Sequence, residues 1–303
     1  MIAYLYDAHA YHHDTGEHLE NSLRTQRIHE MVEEKYRVLT LPLRMGEKSE
    51  LYRIHNPEYV DWIEQGYDDG IRTIRSQDTL VSEGSYDVAL RAATSTKAVI
   101  DFFVDGGSRA FLNLRPPGHH AEYMTGQGFC FFNNIALMAK YAQDAGYKKV
   151  LIIDFDVHHG NGTQDIFYHD SSVFYFSTHE RNNYPFTGSE EESGAGEGAG
   201  YTCNIPYHDS IEDEAFLAIF DALPDSFSPD IVLVSAGYDL MRDEEISSAQ
   251  ISFEGLRQTI KRITSTYHDK PIAFVLEGGY HIPSLVKSVD ITLEVMTQDM
   301  VES

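Results

Sequence analysis

The stretch VLIIDFDVHHGNG at residues 150–162 decides the fold class of this chain and points to its chemistry. Its first four residues are apolar, which is typical of a buried strand in a parallel sheet. Asp154, Asp156 and His158 then alternate along the chain, and side chains two apart on a strand lie on the same side. A helix cap needs only one Asp or Asn, so this cluster favours a metal site at the carboxyl end of a buried strand.

Further apolar, β-branched runs predict that this strand belongs to a larger parallel sheet. Together with the strand at 150–155, these runs cover residues 2–6, 38–43, 110–114, 173–176, 201–205, 231–235 and 272–276. Amphipathic helical stripes separate many of them, at residues 88–103, 135–142 and 253–267. Strands that alternate with helices indicate an α/β fold, with a parallel sheet flanked by helices on both faces. No repeat or change of composition divides residues 1–303, so a single domain is expected.

The composition is strongly acidic. Lys and Arg number 23 and Asp and Glu number 48, so the formal net charge is −25. Such a field repels phosphate backbones, which predicts no nucleic-acid partner and favours an acylated small amine or a basic peptide as substrate. The only cysteines, Cys130 and Cys203, form no CxxC pair and argue against a zinc knuckle or a redox motif.

The sequence contains no signal-peptide pattern and no apolar stretch of the roughly 18 residues that a membrane helix needs. We therefore expect a soluble cytoplasmic protein without membrane contact. The sequence does not decide between a monomer and a homo-oligomer.

Polar motifs follow four of the predicted strands, and the carboxyl ends of parallel strands meet at one edge of a sheet. The motifs are RPPGHH at 115–120, DFDVHHGNG at 154–162, AGYD at 236–239 and EGGY at 277–280. Asp156, His158 and Asp239 fit the three protein ligands of a catalytic zinc ion, although two carboxylates leave Fe²⁺ or Mn²⁺ open.

Three further side chains of these motifs suit hydrolysis beside such a metal. His119 and His120 are candidates for a general base that later returns a proton to a leaving amine. Tyr280 follows two glycines and is a candidate donor to a developing oxyanion. Together with a metal ion, these groups predict hydrolysis of an amide bond.

The motifs resemble those of the zinc-dependent histone deacetylase family, which includes the acetylpolyamine amidohydrolases. The segments that carry the likeness are RPPGHHA at 115–121, GFC at 128–130, DFDVHHGNGT at 154–163, AGYD at 236–239 and EGGY at 277–280. The likeness covers nearly the whole chain and implies the arginase-like fold, in which an eight-stranded parallel sheet is flanked by helices. It also implies an enzyme that removes acetyl or related acyl groups from lysine side chains or polyamines.

The resemblance implies a role for each residue around the metal. His120 would be the general base and then the acid, His119 would hold the water, and Tyr280 would polarise the acyl carbonyl. Asp154 would orient His119, and Asn161 would orient His120. Asn at position 161 and the RPP form of the histidine loop resemble the class II branch of the family. A neutral Asn is expected to raise the pKa of its His less than a carboxylate would.

Substrate contacts and structural cations are implied in the same way. Gly128 would offer its carbonyl to the substrate amide, Phe129 and Tyr184 would wall the acyl-lysine tunnel, and Asp78 would hold the substrate at the rim. Tyr184 stands where the family usually has Phe. K⁺ or Na⁺ would bind at two sites, the first formed by Asp154, Asp156, His158, Ser177 and Thr178 and the second by Phe167, Asp170, Val173 and Tyr201.

Several alternatives stay open at this stage. Either Glu245 or Ile246 occupies the position that gates the tunnel, and a glutamate there would favour a cationic polyamine over acyl-lysine. The N-terminal segment HLENSLR at 18–24 lacks the prolines of the family pattern, which leaves the shape of the rim loop open. A non-catalytic acyl-binding module and a binuclear manganese ureohydrolase are the other readings, and the latter needs bridging Asp and His ligands that we do not find in the sequence.

Overall fold

A computed structural model describes residues 1–75 and 77–302 of the chain. The strands are β1 Ala3–Tyr6, β2 Leu39–Thr40, β3 Thr73–Ile74, β4 Thr79–Leu80, β5 Arg109–Asn113, β6 Val150–Asp154, β7 Val173–Glu180, β8 Thr202–Tyr207, β9 Ile231–Ala236 and β10 Ile272–Leu276. The α-helices are α1 Leu23–Lys35, α2 Pro57–Gly66, α3 Ser85–Val104, α4 Asn134–Asp144, α5 Asn161–Phe167, α6 Asp213–Ile219, α7 Phe253–Thr266 and α8 Ile282–Glu302. Short 3-10 helices cover Ala10–His12, Lys48–Arg53, Gly196–Gly198, Phe220–Ala222 and Asp225–Phe227.

Within the described residues, eight strands form one sheet in the order β2-β1-β5-β10-β9-β6-β7-β8, and every neighbouring pair is parallel. The predicted eight-stranded parallel sheet is therefore confirmed. The largest differences from the apolar runs are in β2, which keeps only two residues at the edge, and in β7, which extends to Glu180. The antiparallel hairpin of β3 and β4 was not predicted, because strands of two residues leave no periodic signal.

Alternating side chains of the strands build a separate core on each face of the sheet. In β6, Leu151 and Ile153 join the core that includes α1, α7 and α8, while Val150 and Ile152 join the core that includes α2, α3 and α4. This is the two-residue period of a strand, and it explains why both faces of the run had to be apolar. No helix in the described part of the chain is long and apolar enough to cross a membrane.

The strand order brings the four polar motifs together. The neighbouring strands β5, β10, β9 and β6 form the centre of the sheet, and each ends within two residues of the start of one of the motifs. The register aligns Leu276 with Ala236 and Asp154 with Ser235, so three of these strands end at the same level. Loops that are distant in sequence therefore meet at one edge of the sheet, as expected for parallel α/β proteins.

The segment between β1 and α1 is anchored by Arg115, which is fully buried. Its guanidinium donates to the carbonyls of Ala10 and His13 and pairs with the Glu20 carboxylate at 2.8 Å. His13 is itself buried and bonds Ser85, so it belongs to this anchor rather than to an exposed rim. The anchor ties the N-terminal segment to the loop that carries the histidine pair.

Candidate metal centre and catalytic pocket

Asp156, His158 and Asp239 converge at the edge of the sheet. Ligand atoms of the three side chains lie within 4.8 Å of one another. Nδ1 of His158 lies 3.0 Å from Oδ1 of Asp156 and 3.2 Å from Oδ2 of Asp239. Asp156 and His158 follow β6 and Asp239 follows β9, its direct neighbour, so the strand pairing itself brings the triad together.

The chemistry of this triad fits a divalent metal ion. Both carboxylates are almost fully buried, and Oδ2 of Asp239 makes no well-aligned hydrogen bond within the described residues, although Nδ1 of His158 lies 3.2 Å away. Burial and then the nearby Asp156 carboxylate raise the pKa of Asp239. Two buried carboxylates side by side are costly unless a cation compensates them. One imidazole nitrogen and two carboxylate oxygens are ligands that zinc accepts, and an octahedral ion such as Mn²⁺ or Fe²⁺ accepts them too.

The first glycine of the EGGY motif packs directly against the two carboxylates. The N–H of Gly278 donates to Oδ2 of Asp156 at 2.8 Å. A Cβ added to Gly278 would lie 2.1 Å from Oδ2 of Asp239 and 2.6 Å from Oδ2 of Asp156. The position therefore requires glycine because the backbone must approach the carboxylates closely, rather than because of its dihedral angles.

The histidine pair lies beside the triad, and each ring has its own partner. Nδ1 of His119 lies 3.1 Å from Oδ2 of Asp154, and Nδ1 of His120 lies 2.8 Å from Oδ1 of Asn161. Burial acts to lower the pKa of His119, but the charges of Asp156 and Asp154 outweigh it and raise that pKa to about 10. Burial and then the positive charge of His119 hold the pKa of His120 well below its ordinary value. The surroundings of the two rings thus shift their pKa values in opposite directions.

Tyr280 is held through its backbone and its ring. Its N–H donates to Oε1 of Glu244 at 2.7 Å, and the guanidinium of Arg24 lies 4.8 Å from the ring centre. Arg24 also donates to the carbonyl oxygens of Glu277 and Gly279, which fixes the loop before Tyr280. Burial raises the pKa of the Tyr280 hydroxyl well above its ordinary value, so the group remains a hydrogen-bond donor at neutral pH.

A pocket of about 220 Å³ opens onto these groups. Its lining residues are Leu19, Asp78, Pro117, His119, His120, Gly128, Phe129, His158, Tyr184, Ile246, Gly278 and Tyr280. The four residues predicted to contact substrate, Asp78, Gly128, Phe129 and Tyr184, are all among them.

Two of these residues wall the pocket with aromatic rings. The Phe129 ring meets Tyr280 edge-on with the ring centres 5.7 Å apart, and the Tyr184 ring meets His120 edge-on at 5.1 Å. Gly128 has a φ of 54°, and a Cβ there would lie 2.5 Å from the His120 ring, so the position suits only glycine.

Ile246, rather than Glu245, lines this pocket. Glu245 is exposed, whereas Ile246 is half-buried and contributes to the lining. The preceding Glu244 turns inwards, since it accepts hydrogen bonds from the N–H groups of Tyr280 and His281. This anchor fixes the register of the segment after Asp239, so that Ile246 is the one of the two candidates that faces the pocket.

Residues of the two predicted cation sites lie on neighbouring segments. Ser177 pairs with Asp154 in the sheet, and the buried hydroxyl of Thr178 has no hydrogen-bond partner in the described part of the chain. In the second set, Asp170 accepts a hydrogen bond from Lys140 Nζ at 2.9 Å. Lys140 Nζ also lies 4.9 Å from the centre of the Phe167 ring, so it already supplies a positive charge at that place.

Sequence reasoning did not identify several residues of the site. Leu19 and Pro117 line the pocket, Arg24 and Glu244 hold the Tyr280 loop, and Glu122 bonds to Asn161. Arg24 lies within the HLENSLR segment, whose likeness to the family pattern was the one available signal. Leu19 lies in the same segment and Pro117 in the RPPGHH motif, whereas Glu244 and Glu122 act through contacts between distant segments.

Comparison with known proteins gives matches over most of the chain. A family model described as histone deacetylase domain matches residues 18–296. A probable deacetylase of Archaeoglobus fulgidus is 35% identical over 260 residues, which cover 82% of this chain and 71% of that protein. The chain covers 61% and 48% of the length of two Arabidopsis thaliana relatives, histone deacetylases 14 and 15, each 36% identical to it.

Two solved structures share the fold over nearly their full length. The crystal structure of the HDA15 HD domain superposes with a TM-score of 0.92 at 32% identity, covering 99% of this chain and 92% of that one. The crystal structure of an acetylpolyamine aminohydrolase from Burkholderia pseudomallei gives a TM-score of 0.89 at 26% identity, covering 97% of this chain and 98% of that one.

Proposed function

The chain belongs to the histone deacetylase family, and from this premise we propose that it is a metal-dependent deacylase that hydrolyses the amide bond of an acylated amine. The observation that carries the proposal is the convergence of a three-ligand centre, two oriented histidines and a tyrosine on one pocket of about 220 Å³. A pocket of this size admits a narrow aliphatic chain with an acyl end. The opposed reading as a binding module does not account for the proton-handling pair beside the triad.

Asp156, His158 and Asp239 would hold the metal, which we propose to be Zn²⁺, with Fe²⁺ as the alternative. When bound, such an ion supplies Lewis acidity to a carbonyl oxygen and acidity to a water molecule. The protein keeps the two carboxylate ligands oriented through N–H donors: Gly278 to Asp156 and Val157 to Asp239. A structural K⁺ or Na⁺ beside Asp154 and Thr178 would satisfy the buried Thr178 hydroxyl.

The histidine pair would move the protons of the reaction. His120 accepts a proton from water as the hydroxyl adds to the acyl carbon, because it is the neutral member of the pair. The C–N bond then breaks, and the same ring returns that proton to the amine nitrogen. His119, held by Asp154, keeps its charge and stabilises the negative charge that develops on the acyl oxygen.

Removing the Tyr280 hydroxyl by Tyr280→Phe is expected to lower kcat about 10²- to 10³-fold, because a donor to a developing oxyanion acts mainly in the transition state. KM should change little for the same reason. Steady-state kinetics on an acetyl-lysine peptide measure both constants. Tyr123→Phe, which removes an exposed hydroxyl, is the matched control. A kcat that stays within twofold of wild type in Tyr280→Phe would remove the hydroxyl from the mechanism.

The substrate that we favour is an acylated lysine side chain rather than an acetylpolyamine. Leu19 and Ile246 give the mouth of the pocket an apolar border, and Asp78 is the acidic residue among the described lining residues. Asp78 suits the N–H groups of a peptide backbone around the acyl-lysine. The net charge of −25 attracts basic peptides as it would attract polyamines, so it does not separate the two.

A carboxylate at the mouth should move the preference towards polyamines. Ile246→Glu is expected to raise kcat/KM for acetylcadaverine, relative to an acetyl-lysine peptide, about fivefold, because an ion pair at an exposed rim contributes about 1 kcal/mol. Ile246→Gln has the same size without the charge and is the control. An equal shift in both variants would assign the effect to shape instead of charge.

The function is tested with the metal-loaded protein on a panel of acetyl-lysine peptides, acetylputrescine, acetylcadaverine and longer acyl-lysines. We expect turnover of acyl-lysine with the highest kcat/KM and inhibition by a hydroxamate. Higher kcat/KM on the acetylpolyamines would establish the polyamine alternative. Absence of turnover on the whole panel, with one metal ion bound per chain, would favour a non-catalytic acyl-binding module.

A further inference from the structure

The partner of His120 is a neutral amide, and that amide has a charged partner of its own. Oδ1 of Asn161 lies 2.8 Å from Nδ1 of His120, and Nδ2 of Asn161 donates to Oε1 of Glu122 at 2.7 Å. Imidazole, carboxamide and carboxylate thus form one continuous chain of hydrogen bonds. Resting on the proposed function, we propose that Glu122 is a positioning residue for His120, which acts through Asn161 to fix the tautomer of the ring and to supply negative charge behind it.

The direction of each hydrogen bond follows from Glu122. An ionised carboxylate only accepts hydrogen bonds, so the NH₂ end of Asn161 must face Glu122. The carbonyl end of the amide therefore faces His120 and accepts from Nδ1–H. A flipped amide would set two acceptor oxygens 2.7 Å apart. With the proton fixed on Nδ1, the lone pair of the neutral ring is on Nε2, where a general base needs it.

The carboxylate also changes the strength of the bond to His120. A hydrogen bond to a charged acceptor is stronger than one between neutral groups, and bonds in a chain polarise one another. The Asn161 carbonyl is therefore a better acceptor than an isolated amide. Glu122 in this way restores part of the effect that a carboxylate at position 161 would have on the ring.

Glu122 has three further contacts. Arg75 pairs with its Oε2 at 2.9 Å, and Gln127 Nε2 donates to its Oε1 at 3.1 Å. Its backbone carbonyl lies 2.9 Å from Nδ1 of the buried His55. Arg75 belongs to the segment that carries Asp78, and Gln127 directly precedes Gly128, so Glu122 joins the rim and the pocket wall to the base.

The kinetic test compares Glu122→Leu with Glu122→Gln. Leucine removes the acceptor and should lower kcat about 10- to 100-fold, the range found for residues that orient catalytic ligands, while KM stays near the wild-type value. Gln keeps an acceptor oxygen for Asn161 and should recover a large part of kcat. Glu58→Gln, which removes a charge at an exposed position of α2, is the matched control, and thermal melting shows whether each variant is folded. A kcat for Glu122→Leu within twofold of wild type would overturn the proposal.

A charge exchange tests the coupling. In Asn161→Asp, the new carboxylate faces the Glu122 carboxylate and repels it, so kcat should fall. When Asn161→Asp is combined with Glu122→Gln, the amide and the carboxylate have exchanged positions. The kcat of this double variant should be about tenfold higher than that of Asn161→Asp alone. A double variant that is more active than the single variant shows that the two contacting residues are directly coupled. Losses that simply add in the double variant would overturn the proposal.

A spectroscopic measurement decides the point without turnover. Ring ¹⁵N shifts of His120, assigned by its absence in His120→Gln, should show the Nδ1–H tautomer in the zinc-loaded wild type and a mixture of tautomers in Glu122→Leu. An unchanged tautomer in Glu122→Leu would refute the role of Glu122. If Glu122→Leu changes the tautomer but the wild type turns over no acylated amine, the role of Glu122 is supported and the proposed function is rejected.

Discussion

Replacing Asp156 with Asn is expected to lower kcat/KM about a thousandfold or more, because Lewis acidity contributes several kcal/mol to amide hydrolysis. Oδ1 of Asp156 accepts from the N–H of His158 and Oδ2 from the N–H of Gly278, so both oxygens are already committed to donors. An Asn side chain must turn its NH₂ group towards one of these donors. The substitution thereby removes the negative charge that attracts the ion, and it displaces the remaining side-chain oxygen.

The measurement combines metal content with kinetics. The wild type should bind one divalent ion per chain and melt at a higher temperature when Zn²⁺ is added, because ligands that bind only the folded state stabilise it. Asp156→Asn should lose both effects. Asp290→Asn is the control, since Asp290 is buried on α8 and pairs with Lys35 outside the site. An Asp156→Asn protein with full metal content and full turnover would contradict the assignment of this ligand.

Replacing His120 with Ala is expected to lower kcat about 10³- to 10⁴-fold, at the upper end of what general acid–base catalysis contributes. The ring is buried and packs against Gly128 and Tyr184, so its loss leaves a cavity at the base of the pocket rather than a reorganised surface. Metal content should remain at one ion per chain, because His120 is not part of the triad. KM should change little.

Single-turnover rates on an acetyl-lysine peptide measure the loss directly. Added imidazole is expected to restore part of the rate by occupying the cavity, which an effect on folding would not allow. His208→Ala, at an exposed position, is the matched control. Retained turnover in His120→Ala would transfer the role of base to His119.

The sheet could be predicted because each strand carries its own signal. Strands such as β6 and β9 are apolar on both faces, and that pattern identifies a buried parallel strand without knowledge of its neighbours. The two-residue strand β2 lies at the sheet edge and has exposed side chains. The apolar run at 38–43 therefore predicted a strand at the right place but made it too long. The hairpin of β3 and β4 gave no signal at all.

The candidate site divides in the same way. Asp154, Asp156 and His158 are close in sequence, so strand alternation alone predicts that they share one edge. Asp239 and Tyr280 required the further rule that parallel strands end together. The gate could not be predicted, because Glu244 rather than a local pattern sets which of Glu245 and Ile246 faces the pocket.

The sequence alone determined the α/β class, the family likeness and the residue types of the centre, since these depend on patterns within single segments. Only the tertiary structure decided that Ile246 borders the pocket, that Gly278 must be glycine beside two carboxylates, and that Glu122 stands behind Asn161. The physical reason is that these features are contacts between segments far apart in the chain. Such contacts are set by the order and register of the strands, which no short stretch of sequence encodes.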